Sequence, residues 1–174
     1  ANDVFTAQTY ANASTGAIPW AGNWNESDTS GASQSPTAGN IQVADDPNVA
    51  GTNYELRLGN QTASGQYNSA ARAIDLSGFS NSTLSFNYHT DSRVAGTLNA
   101  TDIVTLEVSS NGGANYTVIK TYTGAVSGTE AGVSLAGYES ADTMIRFRVS
   151  GATAYTGTNE YFYVDNVQVT STPT

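Results

Sequence analysis

Apolar and polar residues alternate with a period of two in a series of short segments, the pattern of half-buried strands. Between Thr101 and Lys120, Val104, Leu106 and Val108 alternate with Thr105, Glu107 and Ser109. Asn111-Gly112-Gly113 follows, and because Asn and Gly tolerate positive φ the chain reverses there into a second run from Tyr116 to Tyr122. Shorter runs recur from Ile41 to Val43, Tyr54 to Leu58, Ala71 to Leu76, Leu84 to Tyr88, Val133 to Leu135 and Ile145 to Val149. Asp45-Asp46-Pro47-Asn48, Gly59-Asn60 and Ser77-Gly78 read as turns between them. Asn2 to Phe5 opens the series and Glu160 to Thr170 closes it. No segment combines helical apolar spacing with caps. The pattern predicts an all-β fold, an antiparallel two-sheet β-sandwich of jelly-roll type, in one domain over residues 1–174 with 170–174 as a tail.

The closing segment, YFYVDNVQV, breaks the rhythm. Phe162 and Val164 share one parity, whereas Val167 and Val169 carry the other, so the phase slips by one at Asp165-Asn166. Two readings stand: a bulge that bends the strand and re-aims Asp165, or a central strand buried on both faces with Asp165 tied to backbone amides.

The tract from Gln8 to Asn40 is long, polar and Gly-rich, and carries Trp20, Trp24, Glu26 and Asp28. A connection of this length in a compact domain is functional, metal-ordered or flexible. Two exposed Trp side chains would be costly, so at least one is expected to pack on the sandwich and pin the loop.

Composition narrows the classes. A chain of 174 residues can bury roughly 70% of its unfolded surface without a staple, and the absence of Cys excludes disulfides and thiolate chemistry. Fifteen acidic against six basic residues give a net charge of −9, which disfavours nucleic acid and anionic membranes and suits oxygen-ligated cations such as Ca2+. No apolar run approaches a membrane span, so membrane insertion is not expected. A Cys-free chain rich in Gly, Ser, Thr and Asn is read as exported, either processed or a module of a larger chain.

The order LRL (Leu56 to Leu58), ARAIDLSGF (Ala71 to Phe79), STLSFNY (Ser82 to Tyr88), DIVTLEVSSNGG (Asp102 to Gly113), MIRFRVSG (Met144 to Gly151) and YFYVDNVQV (Tyr161 to Val169) resembles bacterial extracellular β-sandwich modules. These are MAM-like and jelly-roll carbohydrate-binding-like domains of calcium-dependent repetitive adhesins and secreted hydrolases. The resemblance implies a structural calcium where the first and last strands meet, held by a carboxylate near the amino terminus and by the Asp of the closing DNV, which here are Asp3 and Asp165. In place of the family's DFE-like opening this chain has Asp3-Val4-Phe5-Thr6.

Asp91 and Asp102 bracket a loop that reads as a second cation site or a pocket rim, and Asp28 is a further candidate metal ligand. Trp20, Trp24, Tyr67 and Tyr155 fall in predicted loops and offer flat surface with a polar edge, suited to sugar or peptide contact. His89 and Arg93 complete the candidate ligand-binding set. His89 is the only histidine, which rules out a multi-histidine zinc cluster, and there is no G-x-S-x-G elbow. The sequence therefore points to a non-catalytic calcium-stabilised adhesion module recognising cell-surface glycan. A peptide- or protein-binding adhesin domain, a structural spacer and an accessory domain of a secreted hydrolase remain open beside it.

Overall fold

The computed structural model describes residues 1–11, 16–32, 34–59, 61–91 and 97–174. Among them the chain forms strands and no helix: β1 (Asn2–Asp3), β2 (Asn25–Ser27), β3 (Ile41–Asp45), β4 (Tyr54–Gly59), β5 (Ser69–Ile74), β6 (Phe79–Thr90), β7 (Ile103–Ser109), β8 (Thr117–Thr123), β9 (Ser127–Ser134), β10 (Thr143–Val149) and β11 (Tyr161–Pro173). One sheet has the order β3-β4-β11-β6-β9, with β1 added beside the second half of β11, and the other has the order β2-β5-β10-β7-β8. Every paired neighbour is antiparallel. From β4 onward the chain passes from sheet to sheet, with only β7 and β8 consecutive in one of them, so neighbours in a sheet are mostly distant in sequence. This is the jelly-roll sandwich the alternation predicts.

The inward parity of each strand fills the space between the sheets. Leu56, Leu58, Leu84, Phe86, Phe162 and Val164 from one sheet meet Ile74, Val104, Leu106, Ile145 and Phe147 from the other, all of them buried. Trp24 is also buried, its ring centroid 6.2 Å from that of Phe5 and 6.3 Å from that of Phe147, so it pins the long amino-terminal tract to the core.

Pairing of β11 with β6 jumps from Asp165↔Asn87 to Gln168↔Ser85, and Asn166 has φ of 51°. The bulge restores inward parity at Val167 and Val169, while Asp165 Oδ1 accepts its neighbour's backbone N–H (Asn166 N, 2.7 Å). Both sequence readings of this strand thus hold in part. Residues 170–173 are not a tail, because Thr170, Thr172 and Pro173 continue the ladder against Thr83, Ser80 and Phe79. The tract before Asn40 also contains β2, which joins the edge of the second sheet beside β5.

A charged pair sits inside the sandwich. Arg72 lies on the inward parity of β5 opposite Ile145 and is 3% exposed, and its guanidinium is ion-paired to Asp3, which is 0% exposed. The guanidinium carbon stands 4.8 Å from the Trp20 ring centroid, and Nε donates to the Gly22 carbonyl (2.9 Å). Asp3 therefore serves to neutralise Arg72.

Candidate functional site

The five acids picked out by sequence are mostly engaged with protein donors. Asp3 Oδ1 accepts Phe5 N–H (3.1 Å), and its Oδ2 accepts Trp24 Nε1–H (2.8 Å) and Arg72. Asp28 caps the entry to β3 by accepting Asn40 N–H (2.6 Å) and Ile41 N–H (3.0 Å) at Oδ2, and Ser30 N–H (2.8 Å) at Oδ1. Asp102 accepts Tyr155 N–H (2.7 Å) and Asn99 N–H (2.8 Å). Asp165 accepts both the backbone and the side-chain amide of Asn166. Asp91 differs in lining an open groove, where it accepts Asn48 Nδ2–H (3.3 Å).

A calcium ion bridging Asp3 and Asp165 would have to share both carboxylates with protein donors. Both oxygens of each carboxylate already accept hydrogen bonds, and a dication beside Asp3 would lie in the field of the Arg72 guanidinium.

The aromatic candidates divide by burial. Tyr155 is 0% exposed and so closed to a ligand, contrary to the expectation from its loop position, whereas Trp24, 2% exposed, is largely core but borders a concavity on the second sheet. Trp20 is half-buried over Arg72. Tyr67 is half-buried with φ of 49°, a left-handed conformation that costs a non-glycine residue about 1–3 kcal/mol. Its ring is held 4.7 Å from the guanidinium carbon of Arg148. Arg93 lies outside the described residues.

His89 anchors an acidic group on the outer face of the first sheet. It projects from β6 between Asp46, at the end of β3, and Glu55 of β4, with Nε2 2.9 Å from Asp46 Oδ2 and Nδ1 3.6 Å from Glu55 Oε2. The Tyr163 ring of the intervening strand β11 stacks on the imidazole, with centroids 4.9 Å apart and planes 8° apart. Burial, then the charges of Asp165 and Asp46, push the Glu55 carboxyl from about 4.5 up to about 8, against the hydrogen bond from Asn53. Such a group can bind a metal. Asp46 and Glu55 escaped the sequence reading because one sits in an ordinary turn motif and the other in a strand, and only the order β3-β4-β11-β6 brings them to His89.

This burial carries a pH signature. In metal-free protein the folded state holds the Glu55 proton up to about pH 8, whereas the unfolded chain releases it near pH 4.5, so stability falls as pH rises between those values. Glu55→Gln should raise the melting temperature at pH 8.5 by the equivalent of ~2–4 kcal/mol and far less at pH 5. Equal shifts at both pH values in chelator-treated buffer would show that Glu55 ionises normally.

The second sheet presents a groove on its outer face. Two concavities, of about 560 and 250 Å³, share Asn25 and Met144 and so run together across β2, β5 and β10. The floor is small and apolar at Ala71 and Ala73, and Asn25, Gln34 and Ser27 supply amide and hydroxyl groups along it. Arg146 stands at one side. Glu107 of the neighbouring strand β7 accepts its Nε–H (2.5 Å) and is also ion-paired to a terminal nitrogen, while the guanidinium carbon lies 3.6 Å from the Tyr116 ring centroid. Glu107 is itself 3% exposed, and its other oxygen accepts the Thr105 hydroxyl (3.1 Å).

The predicted hairpin delivers Tyr116 to this position. Gly112 and Gly113 have φ of 68° and 87°, and a Cβ on Gly113 would come within 2.9 Å of the Tyr116 hydroxyl, so the glycine lets the loop close onto the ring. The ligand-binding candidates drawn from the sequence include no residue of this hairpin. The available signal was the outward parity of Glu107, Met144, Arg146 and Arg148, but not which strands lie side by side.

No family model matches the chain, and no curated protein does. Solved structures share its fold at low identity. The K3 cleaved adhesin domain of Lys-gingipain from Porphyromonas gingivalis w83 is 14% identical with a TM-score of 0.62, over 98% of each chain. A xylan-binding domain of carbohydrate-binding family 22 is 15% identical with a TM-score of 0.51, over 99% of this chain and 97% of that one. The xylanase 10B fragment of Clostridium thermocellum, which joins such a module to a catalytic one and is complexed with xylohexaose, is 12% identical with a TM-score of 0.53, over 98% of this chain and 28% of that one. The chain thus has the β-sandwich fold of adhesin and carbohydrate-binding modules.

Proposed function

We propose that this chain is a non-catalytic glycan-binding module of an exported adhesive or carbohydrate-active protein, with the glycan lying across the outer face of β2-β5-β10-β7. The observation that carries this reading is Arg146. Glu107 fixes one edge of its guanidinium and Tyr116 covers a face, so its remaining N–H groups are oriented without a further entropic cost when a ligand arrives. They border a strip of small apolar side chains flanked by amides and hydroxyls, which matches a sugar ring with its apolar faces and hydroxyl edges. The concavity is on the scale of ligand pockets, about 300–1,000 Å³. The fold shared with a xylan-binding domain and an adhesin domain supports the class of ligand.

Calcium is not needed for this groove, none of whose named side chains belongs to the acidic group. A panel of soluble polysaccharides, xylan among them, and an array of peptides, each probed in calcium and in chelator, tests the proposal. Retention by at least one polysaccharide that survives chelator is expected. Binding to peptides alone would replace the glycan reading with the peptide one, and silence on both arrays would favour a spacer.

A further inference from the structure

We propose that Asp46, Glu55 and His89 form a binding site for a divalent transition metal of the zinc class, with an open coordination position facing the groove lined by residues 46, 48, 49, 89–91 and 125–127. One ligand atom from each residue lies within 4.8 Å of the other two. Zinc bound tetrahedrally at about 2.0–2.2 Å holds its ligands roughly 3.3–3.5 Å apart; Asp46 Oδ2 already stands beside Nε2, whereas Glu55 Oε2 lies nearer Nδ1 and has to swing toward Nε2 to complete the set.

The arrangement around Asp46 gives independent support. Asp46 is 0% exposed, and its Oδ1 accepts two N–H groups of Asn48, from the backbone (2.8 Å) and the side chain (2.7 Å). Its Oδ2 is buried without a hydrogen-bond donor, and the facing His89 Nε2, 2.9 Å away, likewise makes no hydrogen bond. The two atoms form an ion pair only when the imidazole is protonated, and with a neutral imidazole a cation between the carboxylates and the ring would satisfy both. The Asn48 bonds and the Tyr163 stack already hold Asp46 and the imidazole in orientation, as supporting partners of metal ligands do.

The donor set selects the metal. Two carboxylates and one imidazole nitrogen suit zinc, nickel or copper, whereas calcium requires six to eight oxygens. His89 is 26% exposed and borders a groove of about 470 Å³ with Asp91, Asn48, Val49 and Val126, so the fourth position is open to water or to an oxygen of a ligand. This site lies on the other sheet from the Arg146 groove and stands whether or not that groove binds glycan.

Chelator-stripped protein titrated calorimetrically with zinc chloride alone at pH 7.5 tests the proposal, with cobalt(II) absorption reporting coordination geometry. One equivalent of zinc is expected to bind at micromolar affinity or tighter and raise the melting temperature, and cobalt is expected to give the intense visible band of a four-coordinate site. Calcium at equal concentration should do neither. His89→Ala, which removes a partly exposed side chain, and Asp46→Asn should each weaken zinc binding at least tenfold. No heat and no melting shift with the wild-type chain, equal zinc binding by His89→Ala, or equal stabilisation by calcium would each overturn the site.

Discussion

Arg72→Met is expected to destabilise the fold by about 3–5 kcal/mol, the cost of leaving a buried carboxylate without its counter-ion. For a domain of this size that corresponds to a fall of roughly 10 °C in melting temperature. The arginine stands in the space between the sheets, at a parity where β5 otherwise buries Ala70 and Ile74, and its charge is tolerated because Asp3 meets it and the Trp20 ring lies alongside. Removing it leaves Asp3 with only Trp24 and Phe5 as donors in a wholly buried place. Asp3→Asn should cost less, since an amide oxygen still accepts from Trp24, but the guanidinium would then be buried unneutralised. In the Asp3→Asn/Arg72→Met double variant the losses should fall well short of additive, because no unpaired charge remains. Additive losses in chemical denaturation would show that the two side chains act separately. The Arg72→Met loss should be the same in calcium and in chelator, as the pair is satisfied without a metal.

Arg72 also shows what a single sequence conveys. Its parity with Ile74 and Leu76 was legible and pointed inward, but the charge on its own argued for solvent, and only the approach of Asp3 from a strand 69 positions earlier resolves the conflict. Features governed by local chemistry were readable: the alternation, the Asn-Gly-Gly turn and the slip at Asp165-Asn166, which the structure shows as a bulge. The sites depend on contacts between strands that are distant in sequence. Arg146 meets Glu107 because β10 lies beside β7, and His89 meets Asp46 and Glu55 because β11 brings β4 and β6 together. The isolated acids misled for a different reason. A carboxylate that caps backbone amides, as Asp28 and Asp102 do, has the same sequence signature as one that holds a cation.

Tyr116→Leu is expected to weaken glycan binding at least tenfold while leaving the melting temperature within a few degrees of wild type. The ring is half-buried on a loop and offers a face to Arg146, so its removal frees the guanidinium to sample other rotamers without opening the core. Losing both that cation–π contact, worth about 0.5–2 kcal/mol, and the orientation it imposes would account for the tenfold, which corresponds to about 1.4 kcal/mol. Tyr116→Phe keeps the face and should bind nearly as well, which separates the ring from its hydroxyl. Arg146→Ala should abolish binding but is the less clean probe, because it strands the buried Glu107 carboxylate and lowers stability as well. Arg146→Ala/Glu107→Gln restores neutrality, so it should regain stability and still fail to bind. His89→Ala, on the opposite sheet, should leave glycan affinity unchanged. Were Tyr116→Leu to bind as wild type while His89→Ala lost affinity, the glycan would belong to the groove beside Asp46 and Asp91 instead. The two sheets of this sandwich can therefore be assigned their ligands by the same pair of variants.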